Sequence, residues 1–195
     1  LLTWPDTGAY ERAFDALELL VVIDVAMTET ARLAHYVLPA ASQFEKCEAT
    51  GFNLEFPENY FHLRRPLFAP LEESLPEPEI YTRLLERMGA IPRGFRMLER
   101  VARLQPRATH FVPYLTALGL TLSRRKAWAP FAASIMYRSL GPTLPEGMAA
   151  SAFLLPLAVQ YAAHHGAAVR RAGHAGGPRT LGGRLFEAIL DRPSG

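Results

Sequence analysis

The chain has 195 residues, 49% of them apolar and 21% charged, with 21 basic against 19 acidic side chains and a net charge of +2. That length fits one domain or a domain with an appendage, and the near-balance of charge excludes a dedicated nucleic-acid binder, which needs a concentrated basic face. One cysteine excludes an intrachain disulfide framework and a cysteine metal cage, while sixteen prolines and fourteen glycines predict many breaks between short elements.

Residues 8–18 carry Tyr10, Phe14 and Leu17 at helical spacing, so a helix is expected to lead into an apolar run from Leu19 to Ile23. Five apolar residues in a row predict a strand covered on both faces, as in a parallel sheet. Thr28 has the chemistry of an N-cap for a short helix over residues 29–34, and Tyr36 to Leu38 reads as the next strand. Helix, strand, helix, strand is the order of a doubly wound α/β sheet. Residues 42–75 are rich in aromatics and prolines without a sustained period, which predicts a long structured loop with a short hairpin.

LPEPEIYTRLLERMG then reads as a clear helix, with prolines and acids in its first turn and Gly89 at its stop. From Pro92 to Gly147 several short helices are expected, broken by Pro106, Pro113, Pro130 and Pro142. Ala149 to His165 reads as an apolar helix. Its most apolar part carries Pro156 and Gln160 and falls short of the ~20 residues that span a bilayer. GHAGGPRTLGG is expected to be a flexible linker and RLFEAILD a last amphipathic helix; there is no internal repeat. The expected organisation is an α/β portion over residues 1–91 and a mostly helical continuation over residues 92–195. The first residues lack the basic-then-apolar pattern of a signal peptide. The chain opens on LLTWPD without an initiator methionine and closes on RPSG behind a predicted helix, so a fragment of a longer, cytoplasmic protein is expected, with a targeting signal upstream left open.

The residues that carry chemistry cluster at the end of the first strand. In open α/β sheets ligands bind beyond the carboxyl ends of the strands, and an acid there can fix a nucleotide. Asp24 occupies that place, and an ionised carboxylate only accepts hydrogen bonds. Guanine offers two adjacent donors, and Thr28 one turn away can add a hydroxyl and the amides of a helix start. The plain alternative is that Asp24 caps its loop and Thr28 its helix. Elsewhere, Cys47 reads as a semi-buried small hydrophobe. His164 and His165 point about 100° apart on a helix and cannot chelate together. Arg64, Arg65 and the run Arg124, Arg125, Lys126 read as surface charge. No G-x-G-x-x-G follows any predicted strand, which disfavours a generic dehydrogenase.

The run LLVVIDVAMTETARLAHYVLPAASQFEK resembles the signature of the molybdopterin oxidoreductases of the dimethyl sulfoxide reductase and formate dehydrogenase type. Their large subunits carry V-V-x-D-x-x-x-T-E-T-A-x-x-A-D-x-V-L-P-A followed by an E-K pair. The matching residues are Val21, Val22, Asp24, Thr28, Glu29, Thr30, Ala31, Ala34, Val37, Leu38, Pro39, Ala40, Glu45 and Lys46. The resemblance runs from Thr3 to Ile91 and, on weaker signals, on to Gly195. It departs from the family at His35, where Asp is usual, and at Ile23, where a polar residue is frequent.

The resemblance implies a molybdenum cofactor, molybdopterin guanine dinucleotide, with Asp24, Thr28 and, through the downstream loop, Asn53 contacting its guanosine end. It also implies an iron–sulfur cluster and a metal ligand in parts of the subunit that lie outside this stretch, so no catalytic residue and no metal ligand is expected within it. The family's C-terminal domain would begin about where this sequence stops. The expected function is therefore the cofactor-binding portion of a molybdopterin-dependent oxidoreductase, inactive alone, partnered by the remainder of its subunit, with no nucleic acid and no membrane span. The alternative is an inert nucleotide-binding or interaction module derived from that family.

Overall fold

The computed structural model describes residues 5–50 and 61–192. Helix α1 (Thr7–Asp15) starts on Asp6, whose carboxylate accepts from the Ala9 amide at 3.0 Å, and it sets Tyr10 beside Phe14. Strand β1 (Val21–Asp24) pairs in parallel with β2 (Tyr36–Pro39), in register Val21 to Tyr36 through Asp24 to Pro39. Helix α2 (Glu29–Arg32) connects them.

β1 begins two residues later than the apolar run predicts and takes in Asp24. β2 starts only after the turn that ends α2, so Leu19 has no opposite residue in the register. Leu20 instead holds the turn: its carbonyl accepts from the His35 amide at 2.9 Å, and its amide donates to His35 Nδ1 at 2.9 Å. The expected cover on both faces is also incomplete, since Leu19, Val21, Val25, Met27 and Tyr36 are exposed.

Behind β2 the chain makes a parallel bridge from Ala40 to Leu75, so the stretch leading into α3 (Glu77–Arg87) runs beside the pair. The expected hairpin is β3 (Glu48–Ala49) against β4 (Leu63–Arg64), antiparallel. α3 has Pro78, Glu77 and Glu79 in its first turn, where a missing amide is harmless and negative charge meets the positive end of the helix. It stops at Gly89, whose φ of +73° is the left-handed conformation that closes a helix.

The helical segment follows as α4 (Arg96–Leu104), α5 (Val112–Arg124), α6 (Ala132–Ser139), α7 (Leu154–Arg171) and α8 (Leu181–Asp191), joined by short 3₁₀ turns. Pro113 opens α5 and does not break it. The helix expected over Ala149–His165 is a 3₁₀ turn to Phe153 and then α7, which runs on to Arg171. Pro156 sits in the first turn, where no intrahelical amide is needed, and the only departure from helical geometry is at His165.

The last part of the predicted linker is not a linker. Gly182 and Gly183 are buried in the first turn of α8, because the helix lies almost backbone to backbone on its neighbours. A Cβ on Gly182 would stand 2.3 Å from Val159 Cα, and one on Gly183 2.1 Å from the His110 carbonyl oxygen. His110 itself is held between Glu187 (Nδ1 to Oε2, 2.8 Å) and Arg184, whose Nε donates to Nε2 at 2.9 Å. Nε2 is thus the acceptor, and Nδ1 carries the proton.

The hydrophobic core lies mainly among the helices, around Leu98, Tyr114, Ile135, Met136, Leu155 and Phe186. Cys47 and Leu63, from the hairpin, belong to the same cluster.

Candidate functional site

The site grows out of the carboxyl end of β1. A short parallel pair must turn away after its last rung, and here the turn is closed by side chains. Asp24 Oδ1 accepts from the amides of Val25 (2.7 Å) and Ala26 (3.3 Å), and Oδ2 accepts from the Thr28 hydroxyl at 3.1 Å. Thr28 Oγ1 in turn accepts from the Ala31 amide at 3.3 Å, which is the N-cap bond that starts α2. The Asp24 carbonyl accepts from Ala40 at 3.0 Å, tying the turn to the end of β2. The two residues singled out by spacing are therefore in direct contact, at the place where an α/β sheet presents ligands. The contact also embodies the capping role: the carboxylate organises the loop, and the threonine caps the helix. Asn53, the third residue proposed from the resemblance, lies outside the described residues.

Next to this turn the Glu45–Lys46 pair of the signature fixes the following loop. Glu45 accepts from the Ser42 amide at 2.7 Å and from the Leu71 amide at 2.9 Å, so one carboxylate joins both ends of the loop. Hydrogen bonding from Ser42, aided by the Leu71 amide, holds its carboxyl below the ordinary glutamate range against the opposing effect of burial. Lys46 pairs with Glu77 at the start of α3. These roles were open to sequence reasoning, since SQFE has the S-x-x-E spacing of a capping box. Glu45, Lys46 and Cys47 line a cleft of about 480 Å³ whose opposite wall, with Tyr137 and Gly147, comes from the helical segment.

The other candidates take structural places. Cys47 is buried, and desolvation, reinforced by the charge of Glu48, pushes its thiol up to about 11, so it is a packed hydrophobe and a poor nucleophile. Arg64 pairs with Glu48 across the hairpin, and Arg65 donates to the Leu190 carbonyl at 3.1 Å at the far end of α8. Arg125 lies over the Trp128 ring at 5.6 Å. His164 binds the Gln160 carbonyl at 2.8 Å, while His165 packs its ring on Tyr161 at 4.8 Å. Among the described residues no three histidine, cysteine or acidic side chains gather in a way that could hold a metal ion. Nor, among them, is any helix long and apolar enough to cross a membrane.

The family profile of the molybdopterin oxidoreductases matches residues 1–87. Over 85 residues, 44% of the chain, the sequence is 40% identical to the F420-dependent formate dehydrogenase 2 subunit alpha of Methanococcus maripaludis and 33% identical to the probable oxidoreductase YyaE of Bacillus subtilis. Over 84 residues it is 34% identical to the trimethylamine-N-oxide reductase of Vibrio cholerae. The matched stretch spans 12% of the length of each of the first two relatives and 10% of the third. No solved structure matches the chain.

Proposed function

We propose, from the match of residues 1–87 to the molybdopterin oxidoreductase profile, that this chain is the portion of such an enzyme that holds the guanosine end of molybdopterin guanine dinucleotide. The observation that carries the reading is the Asp24 carboxylate, held at the carboxyl end of a parallel strand pair by three donors of its own turn. A carboxylate has about four lone-pair positions, so one on Oδ2 is left for a ligand donor. The second guanine donor would replace the Ala26 amide, whose 3.3 Å contact is the longest of the three. The residues therefore fit the group. Asp24 would accept from the base, while Thr28 orients the carboxylate and caps α2. When bound, the cofactor supplies the redox chemistry, and this stretch of protein binds and orients one end of it.

In this reading residues 1–91 form the cofactor-facing α/β part and residues 92–195 its helical continuation. The remainder of a longer subunit brings the metal ligand, any iron–sulfur cluster and the substrate pocket, with formate dehydrogenase or N-oxide and sulfoxide reductase chemistry as the activity and the cytoplasm as the location. A second reading is favoured by the same hydrogen bonds. Because the carboxylate is already engaged three times within its own turn, the chain could be an inert module in which Asp24 and Thr28 only build the loop.

Asp24→Asn separates the two readings. It replaces an acceptor with a donor that opposes guanine, and losing one charge-assisted hydrogen bond, about 1.5–3 kcal/mol, should weaken guanosine nucleotide binding roughly ten- to a hundredfold. Binding of guanosine monophosphate followed by NMR, with the melting temperature measured beside it, tests this. A lower melting temperature with undiminished nucleotide binding supports the inert module and overturns the cofactor role.

A further inference from the structure

The outer side of α4 carries a row of arginines. Arg96, Arg100 and Arg103 are all exposed, and at ~100° per residue they fall within about 60° of one another around the helix. Arg93 stands just ahead of the helix and Arg107 in the 3₁₀ turn just behind it, both exposed. Among the described residues none of the five forms an ion pair. Glu99, the acid four residues before Arg103, turns back instead and accepts from the Phe95 amide at 2.7 Å. Glu187 is taken by His110, and Asp191, which shares a groove of about 470 Å³ with Arg103 and Arg107, pairs with neither. The helix itself gains little from this charge. Only Arg103 lies in the last turn, where a cation suits the dipole, whereas Arg96 lies in the first, where it does not. Like charges three and four residues apart also repel. On one flank of the row Met97 and Leu104, about 10 Å apart along the helix, are 57 and 65% exposed.

We propose that this face of α4 binds an acidic amphipathic helix of a protein partner, whose carboxylates at three- and four-residue spacing meet the arginine row and whose leucines cover Met97 and Leu104. Guanidinium groups take carboxylates through two parallel hydrogen bonds, and a charged row beside an apolar pair fixes the register of a docked helix. The proposal is independent of the Asp24 reading, since α4 lies beyond the residues that match the family profile. A nucleic-acid strand would satisfy the arginines and leave the two aliphatic side chains uncovered. A bilayer needs a wide apolar face, and α4 turns Leu98 and Ala102 into the core.

The test uses the full chain and a fluorescent synthetic helix of about fourteen residues, or ~21 Å. The helix carries glutamates along one side and two leucines seven apart beside them. Fluorescence anisotropy should show saturable binding that the combined Arg96→Glu, Arg100→Glu and Arg103→Glu changes weaken at least tenfold. The lysine version of the peptide should bind the native chain at least tenfold more weakly and recover on the charge-reversed variant. A permuted peptide of the same composition, with its glutamates scattered around the helix, should also bind at least tenfold more weakly. Met97→Gln with Leu104→Gln keeps every charge and should weaken binding at least fivefold. All five positions are exposed, so circular dichroism of both variants should match the native chain. No binding of the acidic peptide, equal binding of the permuted one, or indifference to either variant overturns the proposal. So does tighter binding to a short DNA duplex or to phosphatidylserine-containing vesicles than to the peptide.

Discussion

Arg138 of α6 reaches across to α3 and donates to Glu79 (Nη1 to Oε2, 3.0 Å) while holding Glu86 with Nε and Nη2 at 2.8 and 3.1 Å. Both acids are nearly buried, at 12 and 10% side-chain exposure, so each depends on this guanidinium. Burial alone would raise the Glu79 carboxyl. Hydrogen bonds and charge from Arg83 and Arg138 outweigh it, and the group sits below its ordinary value. Arg138→Ala should cost about 2–3 kcal/mol, less than the roughly 3–5 of a fully buried pair because Arg138 is partly solvated. A carboxyl depressed on folding stabilises above its unfolded pKa, near 4.3, and the contribution disappears as pH falls through the folded value. Urea titrations from pH 7 down to pH 3 should show the native chain losing this increment below about pH 4–5, and the variant lacking it throughout.

A second prediction follows from the buried hydroxyl pair. Ser139 Oγ donates its only proton to the Ile135 carbonyl at 2.6 Å, so the 2.8 Å bond to Tyr114 must have tyrosine as donor. Tyr114→Phe then removes a donor and leaves no proton stranded, at a cost of about 1 kcal/mol. Ser139→Ala strands the tyrosine proton in a fully buried place and should cost more, about 2 kcal/mol. Burial raises the phenol to about 12. An acid whose pKa rises on folding stabilises below its unfolded value near 10, and that contribution fades between about pH 10 and 12. Chemical denaturation of the two variants should give the stated order; equal losses would contradict the assignment of the donor.

The glycines give a third. Gly182→Ala and Gly183→Ala each drive a methyl into backbone atoms, of Val159 and His110, that cannot rotate away. Each should cost about 3 kcal/mol or more. Gly119, inside α5, has nothing within 4 Å of its would-be Cβ, so Gly119→Ala should stabilise by about 0.5–1 kcal/mol. Thermal melts of the three variants provide the check, with Gly119→Ala as the internal control of opposite sign.

The fourth concerns His35. His35 Nδ1 serves the Leu20 amide as an acceptor, and a carboxylate can do the same. His35→Asp should leave stability within about 0.5 kcal/mol, whereas His35→Phe removes the acceptor and should cost about 0.5–1 kcal/mol. Amide exchange at Leu20 reports the bond directly. Fast exchange in His35→Asp would show that the carboxylate fails to replace the ring.

Local chemistry was legible in the sequence where it is self-contained. The cap at Thr28, the first turn and glycine stop of α3, and the hairpin within a proline-rich loop are each set by residues a few positions apart. The nearness of Thr28 to Asp24 was legible for the same reason, while the bond from its hydroxyl to the carboxylate came only with the structure. What escaped sequence reasoning depends on distant partners. Gly182 and Gly183 read as a linker because two glycines favour no helix, and only the close approach of Val159 and His110 makes them part of one. The span of β1 was misjudged because apolar character continues through Leu19 while pairing depends on where β2 begins.

The docking of α8 also bears on the order in which the molecule assembles. A helix with two glycines in its first turn gives up roughly 2 kcal/mol of intrinsic propensity against alanine and will not form ahead of its seat. It becomes helical only once α7 and the His110 turn are there to receive it. Its last carbonyls in turn receive Arg65, the residue next to the hairpin strand β4. α8 thus clamps a segment made 125 residues before it. The hairpin neighbouring the Asp24 turn should reach its final position only after synthesis has passed α8.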